Sequence, residues 1–224
     1  MNFAPFTYFN KAQSNIVAVT YVGSTFSTVG LTTYTFNNVN LGSPGLCIIT
    51  IGHEHSGTIG RTVSSVTLAG VTMSLGVEQV STGAVQATGA AILYLRQSAP
   101  TASIVVNFSG SSNRCHISVY NILNNTSDSP FQTRSNTSNN GRGFTQSYSG
   151  LSASSMCILH YTIGLDSVTG LSWSNADLTF NSAVTGTTRY SGATFLTTTS
   201  GDRTIAVTHS NSTQPLSLAG CVWV

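Results

Sequence analysis

Short runs of Val, Ile, Thr, Leu and Tyr recur along the chain, each bounded by clusters of Gly, Ser, Asn and Thr. Runs of this length and composition are strands, and their regular spacing between turn formers marks an all-β sandwich or barrel. The predicted strands are 16–22, 31–36, 46–52, 64–68, 72–80, 90–95, 103–108 and 116–122, then 144–148, 156–163, 170–173, 178–180, 192–198, 204–208 and 216–224. Alternation shows in several of them. Ile104, Val106 and Phe108 share one face, as do Ile205, Val207 and, less well, His209, because successive side chains of a strand point to opposite sides. Ala69-Gly70-Val71 lies between two strands and reads as a tight hairpin. No segment has the periodicity of a helix of useful length.

The strand order is written twice. Leu46 to Ile51 (LCIITI) answers Met156 to Tyr161 (MCILHY), and Val66 to Leu75 answers Leu171 to Phe180 without a gap. The correspondence continues with 89–95 against 192–198, 104–113 against 205–214, and 116–122 against 218–224. Two halves follow, about 16–123 and 144–224, joined by the polar, turn-rich stretch 124–143, which reads as a surface loop. Five short strands bury little apolar area on their own. Of the two arrangements open to the halves, two small sandwiches or one interleaved pair of sheets, the expected architecture is therefore a single jelly-roll-like antiparallel β-sandwich over 16–224, built from an internally duplicated strand set, which also limits exposed edges. Residues 1–15 form an N-terminal arm whose Phe3, Phe6, Tyr8 and Phe9 precede the first charge, Lys11. Four aromatics are unfavourable in water, so they are candidate interface residues, docking on another subunit or over the chain's own core.

Composition narrows the role. Only 6% of the 224 residues are charged, against 40% hydrophobic, where ordinary soluble domains carry roughly 25% charge. A surface made of Ser, Thr, Asn and Gly has few charges to hold copies apart and suits a protein packed among other copies or against a partner. A net charge of +2 from one lysine and seven scattered arginines offers no row of cations for phosphates, so no nucleic acid is expected as partner. The opening residues lack the pattern of a secretory signal, and no run approaches a membrane span of about 18 apolar residues. The chain reads as soluble, with no membrane partner. Cys47, Cys115, Cys157 and Cys221 form no C-x-x-C pair and sit among apolar strand residues, as small buried hydrophobes do; disulfides are the alternative, with no pairing favoured.

At Thr33 to Gly42 (TYTFNNVNLG), followed by LCIITIG, VSSVTLAGVTMSL, AAILYLRQSAPTASIVVNFSG and HISVYNI, the chain resembles β-rich virion proteins of tailed bacteriophages. The resemblance covers roughly residues 17 to 224. It implies a structural protein of the virion, made in the host cytoplasm, without catalytic site or cofactor. Within that class it points to a capsid decoration or cement protein that contacts the major capsid protein or other virion proteins. Related modules also serve in tails and fibres as receptor- or carbohydrate-binding units. Capsid and fibre symmetry favours a homo-oligomer, a trimer first.

Candidate chemistry is sparse. His53 and His55 flank Glu54, and histidines at i and i+2 of a strand share a face, giving two nitrogen ligands of the kind zinc or nickel takes. No third ligand lies nearby; His116, His160, His209 and Asp166 are the distant candidates, and the matching place in the second half reads Thr162, Ile163, Gly164. A polar strand end facing solvent is the simpler expectation, with no metal. The six carboxylates are dispersed rather than paired for glycoside hydrolysis. No G-x-S-x-G elbow, phosphate loop or dinucleotide fingerprint occurs, so an enzyme is not expected. For sugar stacking, Tyr148, Trp173, Tyr190 and Trp223 sit among hydrogen-bonding residues. Most of them read more simply as core or rim residues, Trp173, which matches Leu68, among the core; Trp223, near the chain end, and Tyr190 are the glycan candidates.

Overall fold

The computed structural model of the protein describes residues 17–58, 60–83, 86–164, 168–184, 188–210 and 214–224. The first half supplies β1 (Ala18–Ser27), β2 (Leu31–Asn40), β3 (Gly45–His55), β4 (Val63–Leu68), β5 (Val71–Thr72), β6 (Ser74–Val80), β7 (Ala87–Gln97), β8 (Thr101–Ser112) and β9 (Arg114–Leu123). The second supplies β10 (Gln132–Gly141), β11 (Gly143–Leu151), β12 (Met156–Ile163), β13 (Ser172–Ser174), β14 (Asp177–Val184), β15 (Thr188–Leu196), β16 (Gly201–Thr208) and β17 (Gln214–Trp223). Among the described residues there is no helix.

Four sheets result. The first half forms a five-stranded sheet, β1-β9-β3-β7-β6, over a four-stranded one, β2-β8-β4-β5. The second repeats the scheme with β10-β17-β12-β15-β14 over β11-β16-β13. All pairings are antiparallel, and they nest: β1 with β9, β2 with β8, β3 with β7, then β10 with β17, β11 with β16, β12 with β15. This is the order of a long hairpin wound into two sheets. The duplication read from the sequence is carried through the pairing order, except that β5 of the first half has no counterpart in the second. At Ala69-Gly70 the predicted hairpin turns with φ of 50° and 83°, the left-handed pair that a two-residue loop between twisted strands requires.

Two expectations change. The single pair of sheets is replaced by two sandwiches, because the strands are longer than the apolar runs suggested: β8 has twelve residues and β3 eleven. Each half then covers a core of its own. One is built on Ile49, Ile51, Val66, Leu93, Ile104 and Val106, the other on Tyr148, Leu159, Tyr161, Phe195, Ile205 and Val207. The stretch 124–143 is not wholly a loop either. Its residues 132–141 form β10, an edge strand on β17 with no buried side chain. Backbone bonds hold it, aided by Ser135 Oγ donating to Gln79 Oε1 at 3.1 Å and Asn139 Nδ2 donating to Thr82 Oγ1 at 2.9 Å.

The two five-stranded sheets face each other across a third core. Leu46, Ile48, Ile92, Tyr120 and Ile122 from the first half meet Met156, Ile158, Phe180, Cys221 and Trp223 from the second. Four layers therefore stack in the order small sheet, large sheet, large sheet, small sheet. The central strands are covered on both sides, and β12 has no exposed residue along its length. Close approach needs glycine on this seam. A methyl group on Gly52 would collide with the rings of His160 and Tyr190, and one on Gly192 with Phe180 and the Tyr120 hydroxyl.

Candidate functional site: uncharged outer faces and a buried polar seam

The residues singled out by the sequence do not gather at one surface. His53 and His55 share a face of β3, but that face looks into the first sandwich. His53 is wholly buried with its ring 4.7 Å from that of Phe108, and neither of its nitrogens has a hydrogen-bond partner. Burial pushes its pKa down to about 3, the charge of His55 adding in the same direction. His55, at the strand end, is held below its ordinary value by burial and then by Arg61. The solvent-facing strand end is corrected: Glu54 is also buried and bonds Arg114 Nη1 at 2.7 Å. His116 and His160 lie across the sheet from His53, and among the described residues no group of three His, Cys, Asp or Glu could hold a metal ion. Asp166, Phe3, Phe6, Tyr8 and Phe9 lie outside the described residues.

The glycan candidates are corrected as well. Tyr190 and Trp223 are both 0% exposed, so neither can present a ring to a sugar in solvent. Trp223 sits near the chain end, yet β17 is an inner strand between β10 and β12 with both faces covered. Its Nε1 donates to the Asp128 carbonyl at 3.0 Å. Tyr148 is likewise core, and Trp173 is half-buried, donating to Ser191 Oγ at 2.9 Å. The four cysteines are free and buried.

What the fold does bring together was not visible in any single segment. On the seam, His116 of β9 stacks on Tyr190 of β15, centroids 4.8 Å apart, and on Phe180 of β14 at 5.1 Å. His160 of β12 lies 5.7 Å from His116. Thr50 Oγ1 and His160 Nδ1 share a bond of 2.8 Å across the halves. Further cross-seam bonds run from Thr162 Oγ1 to the Gly89 carbonyl at 2.9 Å and from Ser217 Oγ to the Thr88 carbonyl at 3.0 Å. His116 is pushed down to about 3 by burial, and His160 well below its ordinary value by burial and then by the charges of His116 and His53.

Among the described residues, the outer faces of the two small sheets are open to a partner. Strands β2, β4, β5, β8, β11 and β13 contain no charged residue, and β16 carries only Asp202 and Arg203 near its start. Small hydroxyl and amide side chains bond one another along these faces. Thr33 Oγ1 donates to Asn107 Oδ1 at 2.7 Å, and Asn107 Nδ2 donates to Ser65 Oγ at 3.0 Å. On the opposite end Ser147 pairs with Thr204 at 2.8 Å and Ser172 with Thr208 at 3.1 Å. Between β1 and β2 runs a groove with hollows of about 270 and 310 Å³, lined by Tyr21, Val22, Asn37, Asn38, Asn40 and Asn121. Among the described residues no helix is long and apolar enough to cross a membrane.

No protein-family model and no curated protein matches the chain. Among solved structures, a turret protein, A223, of Sulfolobus turreted icosahedral virus is similar at 16% identity over 92% of this chain and 99% of that one, with a TM-score of 0.14. A score of that size establishes no common fold.

Proposed function

We propose that the protein is a structural component of a virion that works by binding, not by turnover: a capsid decoration or cement protein, built as two jelly rolls in tandem. The observation that carries this reading is the pair of laterally bonded faces at opposite ends of a four-layer stack, one without charge and the other with Asp202 and Arg203 only at the start of β16. Such faces lose little on desolvation, since few ions are stripped of water, and they suit repeated contacts of about 1,200–2,000 Å². The motifs from Thr33 to Ile122 that resemble tailed-bacteriophage virion proteins support the same role. The partners are the major capsid protein or other virion proteins, and copies associate as a homo-oligomer, a trimer first.

Val105 and Ala206 occupy the middles of the two small sheets, both half-buried. Val105→Lys and Ala206→Lys place a cation there. Sedimentation of the full chain should show an oligomer for the wild type and smaller species for the variants, with unchanged circular dichroism. Mass spectrometry of purified particles should count hundreds of copies. A monomeric wild type together with a few copies per particle would count against decoration. A tail module binding neutral glycan is the second reading, favoured by the asparagine-lined groove beside Tyr21. Glycan-array binding lost in Asn40→Ala would select it.

A further inference from the structure

We infer that the seam between the two sandwiches is an acid-operated latch, in which protonation of His116 and His160 parts the two five-stranded sheets while each outer core stays folded. The inference is independent of the virion role. It rests on what the seam offers an imidazolium. Both nitrogens of His116 and Nε2 of His160 are buried without a partner, and a charged imidazole needs an acceptor for each N–H. The rings around His116 offer apolar faces: Tyr190 at 4.8 Å and Phe180 at 5.1 Å. A second charge would stand 5.7 Å away on His160.

The other groups do not compensate. The charged residues nearest the pair are Glu54 of β3 and Arg114 of β9, and these bond each other at 2.7 Å. The other titratable groups of the seam are the phenols Tyr21 of β1, Tyr94 of β7, Tyr120 of β9 and Tyr190 of β15 and the Cys221 thiol of β17, with His53 on the reverse side of β3; none of them is a carboxylate. From β3, β7, β12 and β17 the seam receives Thr50, Thr88, Thr162 and Ser217, all neutral and already bonded across it. Burial holds both histidines neutral well below the ordinary imidazole range, so the closed seam is the neutral form and the open seam takes up protons. One covalent connection, 124–131, joins β9 to β10. Each sandwich keeps its own core when the third is lost. Acid therefore has a separable interface to act on.

Two single-tryptophan forms of the full chain test it. Trp173→Phe leaves Trp223, which lies in the seam, and Trp223→Phe leaves Trp173, which packs on the outer core of the second sandwich. On lowering the pH from 8, Trp223 emission should move to the red with a midpoint between about pH 4 and 6, while Trp173 holds its spectrum to lower pH. Adding His116→Phe and His160→Gln should move the Trp223 midpoint down by about one unit or more. Coincident transitions of the two tryptophans, or a midpoint that the double replacement leaves in place, overturn the latch. If the replaced protein does not fold at pH 8, imidazole C2–H resonances of the wild type decide. His116 and His160 remaining neutral through the Trp223 transition would then overturn it.

Discussion

Gly220 tests how tightly the second sandwich is assembled. It lies on β17 where the Tyr148 ring from β11 crosses it, and a methyl group there would run into the Tyr148 hydroxyl, with Leu159 Cδ2 at 2.8 Å and Tyr148 Cζ at 3.3 Å. Gly220→Ala therefore overpacks the core, at about 1–3 kcal/mol. Tyr148→Phe alone removes the hydroxyl that donates to Gln146 Oε1 at 3.1 Å, a loss of about 0.5–1.5 kcal/mol. In the double variant the atom that collides is gone, Cζ is near ordinary contact, and Leu159 has a rotatable end to yield. The two changes should couple favourably by about 1 kcal/mol or more, within the range of contacting pairs. Urea denaturation of the wild type, both single variants and the double variant measures the cycle. Strict additivity would show that Tyr148 does not sit over Gly220.

Acid should weaken the fold before carboxylates titrate. A histidine whose folded pKa is lowered binds its proton mainly on unfolding, so its stabilisation is complete above about pH 6.5 and shrinks as the pH falls toward the folded value. With His53 and His116 at about 3, each withdraws about 2 kcal/mol between pH 7 and pH 5; equal urea midpoints at the two pH values would refute this. The cysteines should resist modification. Burial pushes the Cys47 thiol up to about 12 and raises the others, so a thiol reagent should label none of the four in the native state and all four in urea. Asp128→Asn breaks the Arg96–Asp128 pair, whose side chains are 51% and 49% exposed. The loss should stay under about 1 kcal/mol, and a larger drop in thermal midpoint would mean that the Asp128 loop positions Trp223.

Much of the fold was legible because hydrophobic periodicity survives in strands covered on one side. Ile104, Val106 and Phe108 alternate with Ser103, Val105 and Asn107, and the structure buries the first set alone. Ile205, Val207 and His209 behave likewise. β10 was illegible for the opposite reason: QTRSNTSNNG has no apolar residue to alternate, since it is an edge strand fixed by backbone bonds. The glycan candidates failed on neighbourhood. A tryptophan beside the chain end looks accessible until β10 and β12 are placed on either side of its strand.

The four-layer stack had a signal that alternation obscures. LCII in β3, AAIL in β7 and MCIL in β12 are apolar at consecutive positions, and a strand that is apolar on both faces needs a cover on both. The strands of the small sheets alternate, so they need only one. A chain with both kinds of strand in each half has its all-apolar strands in the middle of a stack, and the uncovered faces of the two large sheets can only be satisfied by each other. The polar residues along those strands then stand out. In β3 the seam-facing positions pass from Leu46 and Ile48 to Thr50, Gly52 and Glu54, and in β9 from Ile122 and Tyr120 to Ser118, His116 and Arg114. One end of the seam is a hydrocarbon core. The other holds two imidazoles, an ion pair and glycines, groups that a purely structural interface does better without. That asymmetry, repeated on paired strands, makes the polar end the place where the two sandwiches are most easily separated.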